Sequence, residues 1–140
     1  MPSVLKISEA ATMALHAVAY LSHAKDRPVA TKTIADRLSC SEAHLSKVLQ
    51  RLTKSGILSA TRGPKGGFVI ARPTSEISLL EVLEIIDGKL SHEACLFDSP
   101  VCQGENCILG DLLGSINNQV KSYFEGTTVD SLNGCLAEVE

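Results

Sequence analysis

Apolar residues recur at helical intervals over most of this chain, and one stretch near the middle breaks that rhythm with short alternating runs. The spacing predicts a helix over residues 8–23, with Ile7, Ala11, Ala14, Val18 and Leu21 on one side and Ser8 as its cap. Asp26-Arg27-Pro28 ends it. Thr31 is the expected cap of a short second helix with Ile34, Ala35 and Leu38 on one face, and Ser41 that of a third running to about Lys54. In the third helix Leu45, Val48, Leu49 and Leu52 form the stripe to be buried, while Ala43, His44, Ser46, Lys47, Gln50 and Arg51 lie opposite. Gly56 stops it. Ile57–Thr61 and Gly67–Ala71 then read as short strands joined by Arg62-Gly63-Pro64-Lys65-Gly66-Gly67, a basic hairpin tip rich in Gly and Pro.

Ser78 caps a further predicted helix carrying Leu79, Leu80, Val82, Leu83, Ile85 and Ile86, which ends at Gly88. Residues 89–106 read as loop. A long amphipathic helix is expected from about Ile108, with Leu109, Leu112, Leu113, Ile116, Val120 and Phe124 on one side, and a short final turn within Thr127–Leu136. The predicted fold is mainly α: a winged helix-turn-helix with a short β-hairpin wing, followed by a long C-terminal helix. Residues 1–73 would form the N-terminal helix and winged unit, and residues 74–140 the cysteine-bearing loop and the long helix.

A 140-residue chain with 44% apolar and 21% charged residues can bury a real core, which excludes wholesale disorder. No run approaches the ~18 uninterrupted apolar residues of a spanning helix, and no leader pattern is present, so a cytoplasmic location is expected. The net charge of −3 conceals a segregation. Residues 24–72 carry ten Lys/Arg against three Asp/Glu, a net +7, whereas residues 73–140 carry two against twelve, a net −10. A short charge run is usually a solvated face; a division this large points to a phosphate-facing half and a half that phosphate repels.

The third helix offers Ser41, Ala43, His44, Ser46 and Lys47 near the end that meets base edges in helix-turn-helix proteins. Arg51 and Lys54, farther along, suit phosphate. At the wing, Arg62 fits a narrow minor groove and Lys65 adds charge, while Gly63 and Gly66 allow close backbone approach. A winged helix serving protein contact is the bland alternative, and a solitary surface His such as His44 is ordinarily mere polar surface. No nucleophile–base pair, phosphate loop or carboxylate pair stands out, so no enzyme is expected.

Five cysteines in a cytoplasmic chain argue for metal binding or redox chemistry rather than a disulfide framework. Three of them, Cys95, Cys102 and Cys107, fall in a C-x6-C-x4-C run. Thiolates so grouped suit zinc or an iron–sulfur cluster, which needs a fourth ligand from elsewhere. By residue type alone Cys40, Cys135, His16, His92 and nearby carboxylates qualify, although Cys40 and Cys135 are each ordinary as small buried apolar residues. A thiol–disulfide switch, or a trio of simply buried thiols, is the alternative.

The segment TIADRLSCSEAHLSKVLQRLTKSGILSATRGPKGGFVIARP resembles the helix-turn-helix and wing of the IscR/NsrR-type bacterial transcription regulators, most specifically at Arg62–Phe68. SLLEVLEIIDG, the cysteine trio and the helix ending near TTVDSL resemble the same family's later segments. The resemblance implies a homodimer whose long C-terminal helix crosses to the partner, bound to a pseudo-palindromic promoter site on double-stranded DNA. It also implies an iron–sulfur cluster (2Fe–2S or 4Fe–4S) in the cysteine loop beside the other subunit's N-terminal helix. Members of the family sense cluster status, nitric oxide, iron or redox state, and many repress transcription. This chain departs from them at the fourth ligand. The cluster-status sensors place a His where Gly110 stands, and the nitric oxide sensors an acidic residue where Thr12 stands. His16, one turn on, matches a His ligand of some redox-sensing relatives. Some relatives without the trio work through a docked partner protein, a reading the acidic C-terminal half also permits.

Overall fold

The computed structural model describes residues 5–90, 95–97, 99, 101, 106–132, 134 and 136. Its elements follow the capping and periodicity rules closely. Helix α1 spans Glu9–Ala24, and the Ser8 hydroxyl accepts the Ala11 N–H at 3.0 Å, satisfying one of the orphan donors of the first turn. Small residues at 11, 14, 17 and 19 bury the helix deeply and let its neighbours come close. Helix α2 spans Thr31–Leu38 and α3 spans Glu42–Lys54. Between them Ser39 adopts the left-handed conformation (φ 53°, ψ 45°) and its N–H reaches the carbonyls of Ala35 and Asp36. That tight reversal is the turn of a helix-turn-helix. Ser41 caps α3 by accepting the His44 N–H at 3.3 Å.

One expected cap is corrected. Thr31 lies inside α2, whose N-cap is Ala30 with no side-chain hydrogen bond. Ala30 takes the extended cap conformation because Val29, its neighbour, is held in a sheet bridge.

Strands β1 (Leu58–Thr61) and β2 (Gly67–Ile70) pair antiparallel, with Leu58 opposite Ile70 and Thr61 opposite Gly67. Val29 adds a single bridge to the outer side of β2, exchanging hydrogen bonds of 3.1 and 2.9 Å with Phe68. The wing is thereby tied to the α1–α2 connection, a contact the sequence did not announce.

Helix α4 (Leu79–Asp87) is capped by Ser78, which accepts the Glu81 N–H at 3.1 Å, and is stopped by Gly88 (φ 80°). It packs on α1 and α3, so its buried Val82 and Leu83 join Leu21, Leu45, Leu49 and Leu52 in one core. Helix α5 runs Leu112–Gly126, four residues shorter at its start than the apolar pattern predicts. Gly110, in the left-handed region at φ 56°, breaks the backbone there, and Ile108 is left 92% exposed. The end of α5 is pinned to the start of α4: Leu79 N–H donates to Thr127 O and Val129 N–H to Ile77 O, both at 2.9 Å.

Candidate nucleic-acid interface and cysteine segment

The buried stripe of α3 fixes which side of the helix faces outward. Leu45, Val48, Leu49 and Leu52 are sealed in the core, leaving Ser41, Ala43 and Lys47 exposed and His44 and Ser46 half-buried on the outer face. Glu42, exposed in the first turn beside Ser41, adds a carboxylate to this otherwise basic face. Sequence reasoning counted it only as charge; its place directly after the cap was the available signal.

At the wing tip, a turn closes with Gly66 N–H donating to Gly63 O at 2.9 Å, and Arg62, Gly63 and Lys65 are exposed. Gly66 is obligatory here. A Cβ on it would stand 2.2 Å from the Thr61 carbonyl oxygen, and Gly63 holds φ 110°. A basic helix face and a basic wing tip belong to the same compact unit, the arrangement needed to straddle a groove and its phosphate wall.

Arg51, which its spacing assigned to phosphate, is exposed and also makes a contact within the protein. Its Nη2 donates to the carbonyls of Ile85 (2.8 Å) and Ile86 (3.1 Å) at the C-terminal end of α4. On the other side of that helix end, Asp87 accepts from the Ser8 N–H at 3.1 Å and from the Ser8 hydroxyl.

Of the cysteine trio, Cys95 and Cys107 are described and half-buried; Cys102, like Cys135 and His92, lies outside the described residues. Each of the two sulfurs receives a backbone N–H from two residues on: Phe97 to Cys95 at 3.4 Å and Leu109 to Cys107 at 3.5 Å. Such N–H···S bonds stabilise a thiolate, the form in which cysteine binds a thiophilic metal or cluster. His16 is exposed on α1, and its Nδ1 donates to the Thr12 carbonyl at 2.7 Å, which leaves Nε2 as the open coordinating atom. It lines a 280 Å³ cavity with Glu9, Thr12, Met13, Leu38, Ser39 and Cys40. Burial, and then the Glu9 carboxylate, push the Cys40 thiol above its ordinary range. Among the described residues no three His, Cys, Asp or Glu are grouped closely enough to hold a metal, so one chain does not bring His16 to Cys95 and Cys107.

The molecule is thus a winged helix-turn-helix protein of the DNA-reading kind, with a thiol-bearing segment after its fourth helix. Residues 7–134 match the Rrf2 family, described as iron-dependent transcriptional regulators. The chain belongs to that family, and it is a transcriptional regulator rather than an enzyme. It is 30% identical over 128 residues to a candidate HTH-type transcriptional regulator of Aquifex aeolicus, covering 89% of each chain. It is 26% identical over 110 residues to the HTH-type transcriptional regulator IscR of Photorhabdus laumondii, covering 79% of this chain and 67% of that one. In fold it is similar to CymR, the global cysteine regulator of B. subtilis (TM-score 0.78, 24% identity, 98% and 100% of the two chains). It is also similar in fold to T. potens IscR (TM-score 0.71, 23% identity, 92% and 86%). No helix among the described residues is long and apolar enough to cross a membrane.

Proposed function

We propose that the protein is a homodimeric repressor whose affinity for a pseudo-palindromic promoter site is set by an iron–sulfur cluster, 2Fe–2S or 4Fe–4S. Cys95, Cys102 and Cys107 would hold the cluster, with His16 of the partner as fourth ligand. The observation that carries this reading is the pair of backbone N–H bonds aimed at the Cys95 and Cys107 sulfurs, each in a segment of irregular backbone. The likeness to IscR of Photorhabdus laumondii and the iron-dependent description of the family support it. Dimerisation is supported by the apolar surface that one chain leaves open. Leu96, Phe97, Val101, Ile108 and Leu112 are 54–92% exposed along the cysteine segment and the start of α5, and only Phe124 of α5 is buried. Exposed apolar residues of this kind suit an interaction surface.

Ser41, Ala43, His44, Ser46 and Lys47 would read base edges, while Arg62, Gly63, Lys65 and Gly66 would follow the backbone beside the adjacent minor groove. In a dimer the two recognition helices must meet half-sites about 34–36 Å apart, so small rotations between subunits change affinity sharply. A bound cluster would supply oxidisable, exchangeable iron at the start of that lever.

The deciding experiment is anaerobic purification with absorption, iron and sulfide assays on wild type and on Cys107→Ser. A band in the ~400–460 nm region with matching iron and sulfide, lost in the variant, is the expected result. Zinc without a chromophore, or iron-free protein with reversible loss of thiols, would refute cluster control and leave a zinc site or a thiol switch.

A further inference from the structure

The last four carbonyls of an α-helix have no partner within the helix. At the end of α4 two of them, those of Ile85 and Ile86, are taken by one nitrogen of Arg51, which comes from the last turn of α3. A permanently charged guanidinium at the negative end of a helix makes bonds of the charge-assisted kind, stronger than neutral ones. The same helix end is gripped from the other side, where Asp87 accepts from the backbone and the hydroxyl of Ser8, the N-cap of α1. Directly beyond, Gly88 turns the chain out of the helix, and Cys95 follows eight residues after Asp87. The turn that launches the cysteine segment is therefore bonded to the DNA-reading helix on one side and to α1 on the other.

We infer that Arg51 is a positioning residue that couples the cysteine segment to the recognition helix, and not a phosphate contact. The inference rests on the reading that the cysteines set DNA affinity. When Cys95 is drawn toward a ligand or released from it, the α4 end moves or loosens, and Arg51 carries that change into the end of α3. Coupling of this kind is reciprocal, so DNA bound to α3 must also quiet the α4 end.

The test compares wild type with Arg51→Gln, each as full chain, anaerobic cluster-loaded and cluster-free, on the same operator DNA over a series of salt concentrations. Hydrogen exchange at the α4 end, including the Gly88 N–H that bonds Glu84 O, is followed with and without DNA. The wild-type affinity ratio between loaded and free protein is expected within about 5–150-fold, and in the variant it falls to within about threefold of unity. The salt slope stays unchanged, and the DNA-induced protection at Gly88 disappears. A slope smaller by about 0.9 with the ratio intact would make Arg51 a phosphate contact and overturn the inference. Lower thermal stability with ratio and protection both intact would make it a structural clamp only, overturning it equally. A wild-type ratio of one would refute cluster control; the Arg51 coupling then stands or falls on whether DNA-induced protection is lost in Arg51→Gln.

Discussion

Gly67→Ala is expected to detach the wing from the body of the protein. A Cβ at position 67 would lie 2.3 Å from the Val29 carbonyl oxygen, 2.4 Å from its carbon and 2.8 Å from the Ala30 nitrogen. All three are backbone atoms, so no side-chain rotation relieves the overlap, and the Val29–Phe68 bridge has to open. That bridge holds two backbone hydrogen bonds, of 3.1 and 2.9 Å. At about 0.5–1.5 kcal/mol net for each, the loss is about 1–3 kcal/mol. For a chain of this size, about 2 kcal/mol lowers Tm by roughly 6–10 °C. Thermal unfolding of wild type and variant at one protein concentration measures this, since any dimerisation would make Tm concentration-dependent. DNA affinity is expected to fall as well, because the tip bearing Arg62 and Lys65 loses its fixed place relative to α3. A Tm change under about 1.5 °C would refute the reasoning: the bridge would then contribute less than about 0.5 kcal/mol.

Two further outcomes follow from the same geometry. Arg62→Ala, at an exposed tip, is expected to leave stability within about 0.5 kcal/mol while lowering the salt slope of DNA binding by about one; an unchanged slope would remove Arg62 from the interface. At Cys40 burial and Glu9 raise the thiol pKa, so the folded state holds that proton more tightly than the unfolded chain. Its stabilising contribution is complete below the ordinary thiol range and is lost as pH rises through the raised value. Iodoacetamide labelling of Cys40 near pH 8, read by mass spectrometry, should accordingly be slower than in urea-unfolded chain, because the thiolate is the nucleophile. Equal rates would contradict the assignment.

Much of the fold was legible because its signals are local. Ser8, Ser41 and Ser78 each cap the helix that follows them, accepting an N–H three residues on. The apolar stripe of α3 alone assigned its outward face. Where a local rule failed, a neighbour in the chain or in space outweighed it. Thr31 had the right chemistry for a cap, but the Val29 bridge placed the extended residue one position earlier. The apolar rhythm from Ile108 continued through Gly110, whose left-handed backbone postponed α5 to Leu112.

The candidate site divides in the same way. Residue types, charge segregation and cysteine spacing were enough to name a basic reading helix, a basic wing and a thiol segment, since each rests on residues close in sequence. The destination of Arg51 was not available from its place on α3. A basic residue on an outer face looks the same whether it meets phosphate or the carbonyls of a helix 34 residues further along. The grip of Ser8 on Asp87, across 79 residues, was equally invisible. The sequence by itself determined which elements form and which faces are apolar, because those depend on residues close together in the chain: within four for the helices, and across one short hairpin for the wing. How α4 ends against α1 and α3 depends on the angles at which three helices cross, and only the packed core decides those.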